Sequence, residues 1–211
     1  MRKNAALILV DIQYDFLPGG ALACHEADRI LPGVQALVQR GLFDCHVATQ
    51  DWHPAEHISF VTQHPDKQAF DSISLYEQSQ TLWPEHCVQG TAGAALAAGI
   101  DWDKMDLILR KGCRVEVDSY SAFQENYGPE GTRPSTGLAG YLKERGITDV
   151  YVAGLARDVC VLWTAQDAKK HGFNTSIIWD LCAPVTPSSD ETVRQLCHDL
   201  GIQIYEATDI T

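Results

Sequence analysis

Basic residues are scarce in this sequence. It contains 16 lysines and arginines against 28 aspartates and glutamates, so its formal net charge is −12 at pH 7 with the histidines neutral. A chain this acidic repels phosphate backbones, and it has no run of basic residues that attracts one locally. We therefore expect no nucleic-acid partner and a small molecule as the ligand.

Long hydrophobic runs are also absent. The apolar run 5–10 follows Arg2 and Lys3 as in a signal peptide, but it stops at Asp11. A signal-peptide core needs roughly 7 to 15 such residues. No other stretch approaches the length of a membrane-spanning helix, so we expect no membrane partner.

The cysteines lack the pattern of a disulfide framework. There are seven of them, an odd number, and they are scattered and never spaced as Cys-x-x-Cys. This usage indicates reduced thiols and predicts a cytoplasmic location. Most of the seven are expected to be small buried hydrophobic side chains.

Residues 1–211 are expected to form a single domain, because 45% of the residues are apolar and 21% are charged, as in ordinary globular chains. Six continuous apolar runs predict strands buried on both faces of a sheet, at 6–10, 45–49, 107–109, 150–153, 176–179 and 203–205. Helices are predicted at 27–40, 136–145, 160–171 and 188–200, the first three followed by or ending beside a glycine. This alternation predicts an α/β fold, a six-stranded parallel sheet flanked by helices on both faces in a Rossmann-like three-layer arrangement.

Residues 50–106 interrupt this alternation. They hold four histidines, three of the five tryptophans and three prolines, with little periodicity. Because long loops in compact domains usually carry function, we interpret this segment as a loop-rich insertion that contributes to the site.

Three polar residues follow predicted strands: Asp11, Lys111 and Cys160. The carboxyl ends of parallel strands share one edge of the sheet, which would bring an acid, a base and a thiol together as a nucleophilic site. Taken singly, such an Asp is more often a turn residue and such a Lys a solvated charge. Their shared position is what favours catalysis.

Cys160 is expected in the first turn of a helix. A helix N-terminus favours negative charge by roughly 0.3 to 1 kcal/mol, and Lys111 adds to this, so the sequence predicts a lowered thiol pKa. Asp11 then fits the base that takes the proton of the sulfur. The alternative is a buried structural cysteine, which the neighbouring Val159 and Val161 permit.

The insertion also holds candidate metal ligands. Asp51 and His53 directly follow a predicted strand, and His86 lies further along. One carboxylate with imidazoles suits a divalent ion such as Zn, with Fe or Mn as alternatives. His57 is a further candidate if its segment is helical, although Pro54 argues against that, and His64 before Pro65 is typical of a loop.

Five ordered motifs span nearly the whole chain. They are LVDIQYDF at 9–16 with PGG at 18–20, TQDWHP at 49–54, WPEHCVQGT at 83–91, KG at 111–112, and VAGLA at 152–156 continuing to Cys160 and Val161. In these residues the sequence resembles the nicotinamidases, also called pyrazinamidases, of the isochorismatase-like cysteine hydrolases.

The resemblance implies a role for each motif. It implies Asp11, Lys111 and Cys160 as the catalytic triad, Asp51, His53 and His86 as ligands of one divalent metal ion, and backbone N–H groups of Ala156 and Cys160 as an oxyanion hole. It further implies a cis peptide between Leu155 and Ala156, and a ring pocket lined by Phe16, Trp83 and Tyr120. Arg157 and Val159 depart from the residues that many relatives carry beside the nucleophile.

The function implied is hydrolysis of nicotinamide to nicotinic acid and ammonia through a cysteine thioester in NAD salvage, with pyrazinamide as a second substrate. Alternatives are another small-amide, ureido or carbamoyl hydrolase of the same superfamily, an isochorismatase-type hydrolase, and a non-catalytic binding protein. The sequence leaves open whether the protein is a monomer or a homo-oligomer.

Overall fold

The computed structural model describes residues 2–211, with side chains from residue 3 onward. Six parallel strands form one sheet in the order β5-β2-β1-β6-β7-β8. Their bounds are Arg2–Val10 for β1, Phe43–Asp51 for β2, Leu107–Lys111 for β5, Asp149–Leu155 for β6, Asn174–Ala183 for β7 and Gln203–Tyr205 for β8. All six predicted strands are present.

The helices cover both faces of this sheet. They are α1 at Leu31–Gln39, α2 at Leu138–Glu144, α3 at Leu162–Lys170 and α4 at Asp190–Leu200. From β1 the chain moves one way to β2 and later the other way through β6, β7 and β8. Because crossovers between parallel strands are right-handed, α1 lies on one face and α3 and α4 lie on the other. The order of the strands reverses at β1, and ligands bind at the carboxyl ends of strands near such a point.

The central strand β1 shows why the apolar runs are continuous. Leu7, Ile8, Leu9 and Val10 are all at most 1% exposed, since helices cover both of its faces. None of the helices in the described part of the chain is long and apolar enough to cross a membrane.

Two strand ends differ from the prediction. β2 continues to Asp51 and β5 continues to Lys111, so Lys111 is the last residue of its strand and does not follow it. The apolar runs stop earlier because these final strand positions carry buried polar side chains that are paired with each other.

The start of α3 also differs. The segment Arg157–Val161 forms one π-helical turn, and α3 begins only at Leu162. Cys160 therefore lies in the irregular turn before the helix rather than in its first regular turn.

The insertion contains a hairpin that the sequence analysis missed. β3 at Ser72–Leu75 pairs antiparallel with β4 at Gln78–Thr81. The rest of the segment between β2 and β5 consists of turns, two short 3-10 helices at Val61–Gln63 and Trp102–Lys104, and isolated bridges, one of which joins His53 to Val88.

Candidate active site

Asp11, Lys111 and Cys160 meet at the carboxyl edge of the sheet. Nζ of Lys111 lies 2.8 Å from Oδ2 of Asp11 and 3.7 Å from Sγ of Cys160. The three residues are at most 6% exposed. The structure thus brings together the acid, the base and the thiol that the sequence placed after separate strands.

The electrostatics of this group come mainly from burial. Burial raises the pKa of the Asp11 carboxyl to about 6, against the opposing effect of the Lys111 ammonium. Burial would lower the pKa of Lys111, but the carboxylates of Asp11 and Asp51 raise it above its ordinary value. The ammonium therefore stays charged and Asp11 is poised to exchange a proton near neutral pH.

The predicted pKa of the thiol is wrong in direction. Burial raises the pKa of the Cys160 thiol well above its ordinary value; Lys111 lowers it, and Asp11 and Asp51 raise it further. The helix end and Lys111 can be read from the sequence, but the desolvation of the thiol cannot. A protonated thiol needs a base to become a nucleophile, which fits Asp11.

Two buried polar side chains that sequence reasoning missed hold the acids in place. Thr49 donates a 2.6 Å hydrogen bond to Oδ1 of Asp11. The Gln13 amide donates to the backbone oxygen of Asp51 and accepts from its N–H, both at 2.8 Å. Gln13 is fully buried. Its position two residues after Asp11 was the one sequence signal that could have indicated a role in the site.

The predicted metal ligands converge on one point. Nε2 of His53 lies 3.6 Å and Nε2 of His86 lies 4.0 Å from Oδ2 of Asp51. Each imidazole donates its Nδ1 hydrogen to a backbone oxygen, His53 to Gly112 at 2.9 Å and His86 to Pro84 at 2.8 Å. With the Nδ1 hydrogens placed in this way, Nε2 of each ring faces the carboxylate, as in metal sites.

The protonation states of the three ligands differ. Burial would lower the pKa of His53, but Asp51 raises it above its ordinary value, so a metal ion would replace a proton on this ring. Burial and the neighbouring His53 lower the pKa of His86 to about 4, which leaves a neutral imidazole. Burial alone would raise the pKa of Asp51, but Lys111 and His53 hold it well below its ordinary value. An ionised carboxylate and two imidazoles are a donor set that zinc accepts.

His57 and His64 have other partners. Nδ1 of His57 accepts from the Ser59 hydroxyl at 2.7 Å, and its Nε2 donates to the oxygen of Val117 at 3.2 Å. Its ring packs on His53 with 4.2 Å between centroids, so it supports the ligand rather than offering a free nitrogen. His64 donates to the oxygen of Ile58 in the loop.

A cavity with about 330 Å³ of empty space, part of it open to solvent, is lined by Cys160 and by the candidate ligands Asp51, His53 and His86. Phe16, Trp83 and Tyr120, the three predicted ring-pocket residues, all line it, together with Cys160 and His86. The ring centroids of Phe16 and His86 are 5.5 Å apart. Aromatic and apolar walls with a few polar groups are typical of sites for small ligands.

One residue of this wall and one residue that hydrogen-bonds to the wall were not predicted. Asp118 lines the cavity and is 2% exposed. Gln80, on β4 of the hairpin, donates hydrogen bonds to Oδ2 of Asp118 at 2.7 Å and to the Tyr120 hydroxyl at 2.9 Å. The Tyr120 hydroxyl also accepts a hydrogen bond from Nε1 of Trp83 at 3.1 Å. No sequence signal marks Gln80, because an isolated Gln in a polar strand is ordinary.

The turn that carries Cys160 begins with the cis peptide that the resemblance implied. The peptide between Leu155 and Ala156 is cis. Ala156 and Val159 line the cavity beside Cys160. Arg157 is 8% exposed and pairs with Asp190, so it neither faces solvent nor stays free for the thiol.

The chain is similar to proteins of a known family. The family model of the Isochorismatase domain matches residues 5–197. The chain belongs to the isochorismatase family. The nicotinamidase of Acinetobacter baylyi is 52% identical over 183 residues, which cover 87% of this chain and 83% of that protein.

Solved structures of family members agree with this result. An Acinetobacter baumannii nicotinamidase and pyrazinamidase superposes with a TM-score of 0.93 at 46% identity, covering 100% of both chains. The PnC1 protein of L. infantum, in complex with nicotinate, superposes with a TM-score of 0.85 at 39% identity, covering 97% of this chain and 93% of the other. The predicted family and the predicted six-stranded fold are confirmed.

Proposed function

We propose that this protein is an amidohydrolase that converts nicotinamide and water into nicotinate and ammonia, with pyrazinamide as a second substrate. The observation that carries the proposal is the contact of Lys111 with both Asp11 and Cys160 under a ring-lined cavity. Family relatives named nicotinamidase support the choice of substrate.

Asp11 is the proton carrier in this proposal. It takes the proton of the Cys160 thiol, and Sγ forms a bond to the carboxamide carbon. The negative charge on the carboxamide oxygen is received by the N–H groups of Ala156 and Cys160, contacts worth roughly 2.7 to 4 kcal/mol per donor in other enzymes. Asp11 then gives the proton to the leaving nitrogen, and ammonia departs as the C–N bond breaks.

The second half of the reaction consumes water. Asp11 removes a proton from a water molecule, whose oxygen bonds to the thioester carbon. The C–S bond breaks, nicotinate leaves, and the sulfur regains its proton. Lys111 stays charged throughout and stabilises the anionic states of its neighbours.

Asp51, His53 and His86 would hold one divalent ion, and Zn is our proposal for it because one carboxylate and two imidazoles leave open positions for further ligands. When bound, the ion would supply a Lewis-acid position that anchors the pyridine nitrogen. Phe16, Trp83 and Tyr120 would hold the ring and orient the carboxamide toward Cys160.

The cellular setting belongs to the same proposal. All seven cysteines are free thiols, which agrees with a reducing compartment. We therefore place the reaction in the cytoplasm, in the salvage of nicotinamide for NAD.

The test is ammonia release from a panel of nicotinamide, pyrazinamide and a ureido amide. We expect turnover of the two ring amides, and a Cys160→Ala variant slower by about 1,000-fold or more. Cys113→Ser, at an exposed position, is the matched control and should keep wild-type turnover. Faster release from the ureido amide would favour a ureidohydrolase, and unreduced turnover by Cys160→Ala would remove the thiol from the mechanism.

A further inference from the structure

Arg157 directly follows Ala156 in the turn of the nucleophile, yet its side chain is committed elsewhere. Its guanidinium donates to both oxygens of Asp190, with distances of 2.7 to 3.1 Å. Nη1 donates to the backbone oxygens of Cys182 at 2.8 Å and Trp179 at 3.4 Å. All three nitrogens of the side chain are thereby engaged with these partners rather than with the thiol or a substrate.

The neighbouring Asp158 is anchored to the same region. Its carboxylate accepts from the backbone N–H groups of Val185 and Thr186, both at 2.9 Å, and from the Ser189 hydroxyl at 3.0 Å. Ser189 and Asp190 are the residue before α4 and the first residue of α4. Two consecutive residues of opposite charge therefore fasten the turn to the start of one helix.

The fastened turn holds the reacting groups of the proposed mechanism. Ala156 lies immediately before Arg157, and Cys160 lies two residues after Asp158. Residues Arg157–Val161 form a single π-helical turn. The backbone oxygen of Ala156, just before this turn, accepts hydrogen bonds from the N–H groups of both Val159 and Val161. A single irregular turn has few hydrogen bonds of its own to resist displacement.

We propose that Arg157 is a positioning residue of this enzyme: its ion pair with Asp190 fixes the N–H groups of Ala156 and Cys160 and the Cys160 sulfur against the start of α4. This inference rests on the proposed function. A displacement of about 1 Å in such groups costs on the order of 100-fold in rate. Arg157 acts through Ala156 and Cys160 and does not touch the substrate.

The test compares Arg157→Met with Arg194→Met. Both guanidiniums pack over the Trp179 ring, at 4.2 Å and 3.8 Å from its centroid, but Arg194 is exposed on α4 and makes no ion pair or hydrogen bond with the turn among the described residues. Asp190 is 39% exposed in its side chain, so water can solvate it in Arg157→Met and the variant should fold. Arg157→Lys keeps the charge and serves as the conservative variant.

Two readouts separate positioning from general destabilisation. For Arg157→Met we expect kcat for nicotinamide to fall by about 10-fold to 100-fold with KM within about threefold of wild type. Pyridine-3-carboxaldehyde is the second probe: its carbonyl carbon bonds to Sγ and the thiol proton passes to its oxygen, with no other reactant. Its affinity should fall at least tenfold, while nicotinate, which makes no bond to sulfur, should bind within about threefold of wild type.

The variants together decide whether Arg157 positions the turn. Arg194→Met should match wild type in both readouts, and Arg157→Lys should recover part of the loss. Equal behaviour of Arg157→Met and Arg194→Met, or a parallel loss of aldehyde and nicotinate affinity, would overturn the inference. If Arg157→Met does not fold, Asp190→Asn takes its place with the same expectations. If the wild type does not hydrolyse nicotinamide, the proposed function fails, and the aldehyde and nicotinate affinities still decide the role of Arg157.

Discussion

Asp51 and Lys111 are register partners at the ends of β2 and β5, and Nζ of Lys111 lies 2.5 Å from Oδ1 of Asp51. The same ammonium contacts Asp11 at 2.8 Å. One buried cation thus joins the candidate nucleophile group to the candidate metal ligands. Its removal would leave two carboxylates close together and out of water.

Lys111→Met is therefore expected to destabilise the fold as well as abolish turnover. Removing one partner of a buried ion pair leaves an uncompensated charge and costs about 3 to 5 kcal/mol. The measurement is the free energy of unfolding from urea denaturation. Lys67→Met, at an exposed position, is the control with an expected change below about 0.5 kcal/mol. A loss under about 1 kcal/mol in Lys111→Met would show that the ammonium is not needed to compensate these acids.

His53→Ala tests the candidate metal centre. The variant removes one of three converging donor atoms, so we expect purified protein to lose bound divalent metal. Because the proposed role of the ion is to anchor the ring, KM for nicotinamide should rise more than kcat falls. Metal content is read by elemental analysis and the kinetics by ammonia release. His64→Ala, whose imidazole bonds to the oxygen of Ile58, should retain both; an equal loss of kcat and binding in His53→Ala would assign the ion a direct part in the chemistry.

The convergence of Asp11, Lys111 and Cys160 could be predicted because it depends on topology. Continuous apolar runs identify strands buried on both faces, and parallel strands place their carboxyl ends at one edge. Each of the three residues follows or ends such a run. The shared edge does not depend on the order of the strands, which the sequence did not predict.

Features that depend on three-dimensional packing were missed. The hairpin turn at Tyr76 and Glu77 has positive φ at both positions, 50° and 62°, where Asn-Gly or Asp-Gly is the usual sequence signal. Its strand Gln78–Thr81 is polar, and only Gln80 is buried. The predicted direction of the Cys160 pKa shift was wrong for the same kind of reason, because desolvation depends on all the residues that cover the thiol.

Gln80→Met is expected to loosen the wall of the cavity. The substitution keeps the side-chain volume but removes the hydrogen bonds to Asp118 and Tyr120. Leaving a buried acceptor without its donor costs about 1 to 3 kcal/mol. We expect KM for nicotinamide to rise about tenfold, while kcat changes less than about threefold because Cys160 is untouched. Gln78→Met, at an exposed position of the same strand, controls for the hairpin itself. Equal KM values for the two variants would show that the hydrogen bonds of Gln80 do not shape the pocket.

Asp167 on α3 predicts a pH dependence of stability away from the site. Its carboxylate is 1% exposed in the side chain and accepts from Arg133 at 2.7 and 3.0 Å and from Lys170 at 3.0 Å. Burial would raise its pKa, but the hydrogen bonds and charge of Arg133 lower that pKa below its ordinary value. Between the lower folded-state value and about 3.9, the unfolded chain binds more protons, so stability rises with pH there.

The stabilisation from Asp167 is therefore fully present above about pH 5 and lost as the pH falls below about 4 through the folded-state pKa. Asp167→Asn should be less stable than wild type by about 2 kcal/mol at pH 7, the usual worth of hydrogen bonds to a charged group. The gap should shrink as the pH is lowered toward 3, in urea unfolding series at matched ionic strength. Asp103→Asn, at an exposed position, should leave the curve unchanged. A gap that stays constant from pH 7 to pH 3 would mean that Asp167 acts through packing rather than through its charge.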